Sequence, residues 1–306
     1  MKRKSKGQKK DKGIGIHLMK NSILMNASDG KINYIQRKIY GNDDEYIEVI
    51  DQMFANVLEH LNIKSLENLN TYLISPHHLT KHHTLLPVPN LKNLNKNKIE
   101  DALSLFVEQQ QKIQLKNNTM SFSFEGLSKK NEIQGDFFSF SHIDESKIDN
   151  YLKPLLDKGL NLRYMESEEN SIRRYTNRNY MTNYDDNTVY VNQFYDGKES
   201  YIGFYIFIKN LLAAVRYLPI ESFSVSDLTR ELNNVIHYTK NMYNGFPIHN
   251  YFIFGDDEDF LYEFQRYYNT SDFTILDEKF IPSFGVLMNS GHNIFSEIFV
   301  KKGGLV

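Results

Sequence analysis

Cysteine is absent from the chain. That excludes a disulfide framework and any thiolate metal site. Tryptophan is absent as well. The aromatic load falls on 20 Tyr and 21 Phe, and hydrophobic residues make up 41% of the total, which excludes a disordered chain. No apolar run is long enough to span a membrane. The most apolar one, YIGFYIFIKNLLAAVRYLP from Tyr201, is interrupted by Lys209 and Asn210 and carries Arg216. Each half falls short of the ~20 residues a spanning helix needs; the two read as a hairpin with both strands buried. A general basic field is also missing. MKRKSKGQKK holds six Lys or Arg and no acid, and taking those six from the net charge of −2 leaves −8 for the remainder. Such a body is not built for nucleic acid.

The basic start, residues 1–12, has no apolar stretch behind it, so it is not a secretory signal. It reads as a solvated, disordered tail. Its sharper reading is a tether to an anionic membrane surface, at roughly 1 kcal/mol per basic residue near the lipid. With 306 residues, the chain is long enough for two lobes.

Asp11 to Lys31 reads as a strand, a tight turn and a second strand. In full, Gly13 to Asn26 and Lys31 to Ile39 are expected strands, joined at Ser28-Asp29-Gly30. DDEYIEVIDQMFANVLEHL is amphipathic at helical spacing, with Tyr46, Ile47, Ile50, Met53, Phe54, Val57, Leu58 and Leu61 on one face. Asp43 and Asp44 suit its N-terminus. NLNTYLIS is a buried strand ended by Pro76. A short strand through Thr84 to Leu86, a Pro-Val-Pro break and a helix from about Lys96 to Gln111 follow. TMSFSFEGL and GDFFSFSHI alternate as strands. ESKIDNYLKPLLDKG is a helix containing Pro154 and closed by Gly159; LNLRYMES is a strand leading into a helical stretch with SIRRY. From Asn187 the pattern resets. Three strands (Thr188–Phe194, Tyr201–Ile208, Leu211–Leu218) lead into a helix with Ser226 or Asp227 near its start. Next come a strand, a Gly-containing turn, a helix, the strand DFTIL and a short helix from PSFGVLMNSG. Both halves run strands, helix, strand, a long duplication of pattern.

Few residues suggest chemistry outright. In HHLTKHH, His78 and His82 would share a helical face as zinc pairs do, but no Glu stands between them as in H-E-x-x-H, and the segment reads as loop into strand. The His77–His83 cluster is therefore read as exposed imidazoles, not a metal site. No G-x-S-x-G occurs and no His has an evident orienting partner. DDEDF at Asp256 to Phe260 supplies a charged cap for the following helix. The aromatics of YIGFYIF and FLYEFQRYY lack interleaved basic residues and read as core, not as base-stacking platforms.

Two such halves with an insertion in the first resemble the actin-like ATPase superfamily. Within it the chain is similar to the PilM family of type IV pilus assembly proteins and, more distantly, to FtsA. The residues that carry the likeness are TLLPVPNL followed by IEDALSLFVEQQ, then KIDNYLKPLLDKGLNLRYMESEENSIRRY, AAVRYLPI, DLTRELNNVIHYTKNMY, HNYFIFGD and FGVLM. The resemblance implies an α/β fold of two lobes, 13–186 and 187–306, with a small α+β subdomain of about 79–142 inserted in the first.

Working members of the superfamily read G-I-D-I-G in the first phosphate hairpin and V-D-I-G in the second. GIGIHLMKNSI puts Gly15 where the Asp belongs and His17 where the Gly belongs. VYVNQFYDGK puts Asn192 and Phe194 at the second pair, with Asp196 and Gly197 as a turn shifted along the chain. Of the third motif only Gly255 survives, followed by Asp256 and Asp257, which would repel phosphates. Gly15 offers no metal ligand, His17 is bulky where close backbone approach is needed, Asn192 carries no charge, and Phe194 is expected to fill the loop. The expected cofactor is therefore none, and the expected protein is not an enzyme.

The resemblance further implies a scaffold, cytoplasmic and peripheral to the inner membrane, of a pilus or related secretion assembly. It would bind the cytoplasmic N-terminal segment of a PilN-like membrane protein, beside other pilus inner-membrane components. The groove would lie beside the inserted subdomain against the first lobe, with Tyr72, Leu73, Ile74 and Ser75 as contacts. The alternative is an ATPase of this fold that binds ATP with Mg and polymerises or switches partners with nucleotide.

Overall fold

The structure is a computed structural model that describes residues 12–30, 33–67, 69–88, 102, 105–109, 112, 118–126, 136–181, 183, 186–208, 211–242, 246–268, 273–276, 281, 282, 285 and 298–300. Residues 1–11 of the basic tail lie outside these residues, whereas Lys12 begins the first strand; most of the helix expected from Lys96 to Gln111 also lies outside them, and residues 105–109 of it are helical. The chain divides into two units.

The first unit comprises Met1–His78, Asp149–Thr176 and Ile281–His292. Its sheet holds β1 (Lys12–Leu18), β2 (Ser22–Asp29), β3 (Asn33–Ile39), β4 (Asn70–Ile74) and β8 (Asn161–Glu166) in the order β3-β2-β1-β4-β8. β2 is antiparallel to β1 and β3, whereas β4 is parallel to β1 and β8. The single strand expected from Gly13 to Asn26 folds back at Lys20-Asn21, where Met19 N–H donates to Ser22 O at 3.0 Å. So this half begins with three strands, as the second does.

Helix α1 (Asp43–Leu61) follows β3. Its cap is Asn42, not the aspartates: Asn42 Oδ1 accepts from Glu45 N–H at 3.0 Å, and Glu45 Oε2 accepts in return from Gly41 N–H at 2.6 Å. That reciprocal pair satisfies donors left open at a helix start. Asp43 and Asp44 sit in the first turn, where the macrodipole favours them. The face Tyr46, Ile50, Met53, Phe54, Val57 and Leu61 is buried, and each such side chain contributes roughly 1.5–3 kcal/mol over exposure. Ile47, expected on that face, is 44% exposed. The helix lies against the edge of the sheet through Tyr34, stacked on His60 at 3.9 Å, and Gln36, whose Nε2 donates to Met53 O at 2.7 Å.

The second unit comprises Leu79–Ile148, Asn177–Phe280 and Asn293–Val306. Its larger sheet joins β9 (Thr188–Tyr195), β10 (Ser200–Ile208), β11 (Leu211–Pro219), β12 (Asn250–Gly255) and β13 (Phe273–Ile275) in the order β11-β10-β9-β12-β13. β10 is antiparallel to β9 and β11, and β12 is parallel to β9 and β13. Taken in chain order, the strands of both five-stranded sheets lie third, second, first, fourth, fifth. Val189, Val191, Ile202, Phe204 and Ile206 of this sheet bury against Leu228, Leu232 and Ile236 of α4 (Val225–Met242) and Phe260, Leu261 and Phe264 of α5 (Glu258–Tyr268). The aromatic runs expected as core are core there, although Tyr262 and Tyr267 face outward. Ser224 caps α4: its Oγ accepts from Asp227 N–H at 3.2 Å and donates to Asp227 Oδ2 at 2.6 Å.

Three strands between β4 and β8, β5 (Lys81–Val88), β6 (Asn118–Gly126) and β7 (Asp136–Asp144), join β14 (Ile298–Val300) from near the end of the sequence in a four-stranded sheet of order β14-β6-β7-β5. Those three strands are inserted in sequence within the first sheet, yet their sheet groups with the second unit, where the His82 ring lies 6.4 Å from that of Tyr217 on β11. Helix α2 (Glu145–Asp157) then carries the chain back to β8, with Pro154 inside it and Gly159 (φ +72) closing it. After β8 comes α3 (Glu168–Asn179). Among the described residues no helix is long and apolar enough to cross a membrane.

Candidate functional site

In an open sheet with parallel strands, ligands are taken at the carboxyl ends of those strands, where strand order reverses. In the first unit these ends are His17–Leu18, Ile74–Ser75 and Glu166–Ser167; in the second they are Phe194–Tyr195, Gly255–Asp256 and Ile275. The six degenerate positions lie at or near them. How each unit uses its backbone N–H groups there decides what it can hold.

In the first unit, Gly15 and His17 belong to β1 itself and precede the turn. Gly15 lies between Asn26 and Tyr72, and His17 between Leu24 and Ile74. The turn is closed by the chain. Besides the Met19 N–H bond to Ser22 O, Tyr40 donates its hydroxyl to Met19 O at 2.7 Å and its N–H to Asn21 O at 3.0 Å. The His17 ring is 3% exposed, and its Nε2 is 3.9 Å from Glu168 Oε1. Burial pushes the imidazole pKa down to about 3, with His77 and Arg37 adding to the shift. His17 is therefore neutral at pH 7.

Beyond β8 the chain packs an unusually polar set of residues. Glu166 receives Arg174 through two bonds of 2.6 Å, to Oε1 and Oε2. Arg174 also donates to Gly285 O at 3.1 Å, and Ser171 Oγ donates to Pro282 O at 2.6 Å. Ser167 Oγ donates to Glu169. Glu166, Glu168, Glu169 and Arg173 are all buried.

In the second unit, Asn192 and Phe194 lie within β9. Asn192 is buried between Gly203 and Phe254 in the sheet. Phe194 does not fill a loop, as the sequence suggested. It stacks on Tyr201 at 5.8 Å and meets Tyr217 edge-on at 6.3 Å, because its register with β10 puts those rings on one face. The turn runs through Asp196–Glu199. The Asp196 carboxylate, in a residue 1% exposed, accepts from Lys198 N–H and Glu199 N–H, each at 2.9 Å, and Asp196 N–H donates to Glu199 O at 3.0 Å.

The turn after β12 is closed in the same manner. Gln193 Oε1 accepts from Asp256 N–H at 2.7 Å and Asp257 N–H at 2.9 Å. Asp256 Oδ2 accepts from Tyr195 N–H at 3.2 Å, and Asp257 Oδ1 accepts from Phe260 N–H at 3.1 Å to cap α5. Gly255 is required by this closure: a Cβ there would come 2.5 Å from Gln193 O. Sequence reading singled out Asn192, Phe194 and Gly255 but missed Gln193, whose role depends on which strand lies next to β9.

A magnesium triphosphate needs free backbone donors and a carboxylate to organise the metal. At these strand ends the donors of the second unit's turns go to Asp196, Gln193, Asp256 and Asp257, and the two aspartate-bearing positions of working hairpins hold Gly15 and Asn192. These residues do not fit that group.

Tyr72, Leu73, Ile74 and Ser75, expected as peptide contacts, are buried, and β4 lies in the sheet interior with β1 on one edge and β8 on the other. β4 therefore has no open edge for an extended segment to join. In the His77–His83 cluster the imidazoles are not uniformly exposed. His77 is buried, His83 stacks flat on Phe140 at 4.4 Å, and His82 Nδ1 is 2.8 Å from Ser141 Oγ. Among the described residues no group of three or more His, Asp or Glu could hold a metal ion.

No family model matches the sequence, and no curated protein matches it. Solved structures do. The chain is similar to a PilM-PilN type IV pilus biogenesis complex at 10% identity, with 91% of this chain and 98% of that chain covered and a TM-score of 0.67. Other matches include a Bacteroides thetaiotaomicron protein with actin-like ATPase fold and unknown function (14% identity, 94% and 99% covered, TM-score 0.48). Another is the cytoplasmic domain of EpsL, an inner membrane component of the type II secretion system of Vibrio cholerae (7% identity, 90% and 92% covered, TM-score 0.47). At such identities the likeness is one of fold. Two sheets of one strand order, matched over nearly the full length of a chain from the PilM-PilN complex, give this chain the actin-like ATPase fold.

Proposed function

We propose that the chain is a scaffold of an inner-membrane assembly, of the type IV pilus or a related secretion kind, that binds the cytoplasmic N-terminal segment of a PilN-like membrane protein and does not turn over ATP. The observation that carries this reading is the closure of the second unit's turns: Asp196 and Gln193 take the backbone donors on which nucleotide chemistry in this fold depends. The fold-level likeness to the PilM-PilN complex supports the kind of partner.

Because β4 is enclosed, we propose instead that the partner docks at the start of β5, within the second unit, where Lys81 is exposed and Thr80 half-buried. The basic tail then favours an anionic leaflet near that partner.

Two titrations test the reading. Calorimetry of the chain with Mg-ATP is expected to give no saturable heat. Fluorescence anisotropy with labelled cytoplasmic peptides of single-span inner-membrane proteins from the same source is expected to give saturable binding, indifferent to Mg-ATP and weakened by Lys81→Glu. Micromolar Mg-ATP binding that controls peptide affinity would instead establish a nucleotide-switched ATPase.

A further inference from the structure

We infer that the turn Asp196–Glu199 carries its own anion: the Asp196 carboxylate stands where this fold otherwise receives a phosphate oxygen, holding the second unit in a liganded form without a ligand. The inference deepens the reading of a nucleotide-independent body and rests on it.

Three features of the geometry lead there. First, the carboxylate is aimed inward. Asp196 is 1% exposed, so its charge has been withdrawn from water, which is costly unless donors replace the solvent. Lys198 N–H and Glu199 N–H at 2.9 Å are those donors, in the arrangement of successive backbone amides that binds anions. Second, the neighbouring turn is closed from the same strand. Gln193 and Asp196 both lie at the end of β9; Gln193 takes the amides of Asp256 and Asp257, and Asp256 returns a carboxylate oxygen to Tyr195 N–H. The turn after β12 is thus tied to the end of β9, the strand that runs into the Asp196 turn. Third, Gly255 allows β12 to approach Gln193 as closely as this tie demands. Simple loss of a nucleotide site would leave amides facing water. Here they face carboxylate and carboxamide oxygens supplied by the chain.

If so, removing the carboxylate reopens a place for an oxyanion. Asp196→Gly frees two amide donors and deletes the charge that excludes phosphate. The variant is expected to be less stable than the unaltered chain, and inorganic phosphate is expected to restore it saturably. The rise in Tm should be about 3 °C at tenfold over Kd, compared with chloride at equal ionic strength. The unaltered chain is expected to show no such saturable rise. Asp196→Asn is the control: its amide oxygen still accepts the two N–H groups, so it should fold and gain nothing from phosphate. Asp196→Ser, which keeps one acceptor, serves if the glycine variant does not fold, with a smaller phosphate response expected. Equal phosphate responses in the unaltered chain and the variants overturn the inference, as does a folded glycine variant that ignores phosphate. Titrating Mg-ATP into the unaltered chain tests the scaffold reading separately, so either can fail alone.

Discussion

The two units share a strand order and differ in what they bury. Behind the second sheet lies an apolar interior in which Phe204, Phe264, Ile206 and Leu232 are shielded completely. The first also buries an apolar face against α1, but beyond β8 it encloses Glu166, Glu168, Glu169, Arg173 and the His17 ring. One topology therefore tolerates two kinds of interior. The second unit takes most of its stability from area removed from water, which no single polar partner controls. The first depends in addition on paired charges, where loss of one partner strands the other. Their turns follow the same division. In the first unit the hairpin tip is closed by backbone bonds and a tyrosine hydroxyl, in the second by buried acceptor side chains.

Three substitutions probe that contrast. Phe264→Ala removes a fully buried ring from the second unit and should cost about 3–5 kcal/mol in denaturant unfolding; a loss under 1 kcal/mol would mean that this interior is not what stabilises the unit. Arg174→Ala takes the guanidinium from the buried Glu166 carboxylate. Because Arg174 keeps some contact with solvent, the expected cost is about 2–3 kcal/mol, and Arg174→Lys should recover only part of it, since an ammonium cannot make both bonds. If the lysine variant matched the original, paired geometry would be irrelevant to the first unit.

A further effect is one of pH. His17 is held neutral in the folded state with its pKa near 3, so the unfolded chain binds a proton first as pH falls below 6.5. Its contribution is complete above pH 6.5 and drains away on acidification toward pH 3. His83 and His142 of the second unit act in the same direction, His142 with its pKa near 4, through burial and then neighbouring histidines. In His17→Leu the decline of Tm between pH 6.5 and 4 should be shallower than in the original. Parallel curves would show that the His17 environment does not couple to folding.

Much of this architecture could be read in the sequence because it is local. The periodicity of α1, the apolar runs of β10 and β11 and the Asp257 cap all follow from neighbouring residues. The break after Leu18 was not legible. IHLMKNSI contains neither Gly nor Pro, and what fixes its turn is Tyr40, far along the chain. Helix α3 misleads for a similar reason. EENSIRRYTNRN has the composition of a solvated helix, yet its Glu168, Glu169 and Arg173 are enclosed by tertiary packing that no local pattern encodes. Among the site residues, the vacated positions Gly15 and Asn192 were visible by comparison with a motif. Gln193 was not, because its task is set by the strand beside it.

The contact between α3 and the piece of chain at Ile281, Pro282 and Gly285 has a consequence for biosynthesis. A side-chain carbon on Gly285 would lie 1.9 Å from Ser171 O, so the two backbones meet with no room between them, and Ser171 and Arg174 both bond to carbonyls of that piece. On the ribosome the strands that begin this unit emerge first, but the stretch that seals α3 is translated only after β9 to β13. The amino-terminal unit is therefore sealed only after all five strands of the second unit's larger sheet have been translated, and β14 of that unit's smaller sheet follows later still.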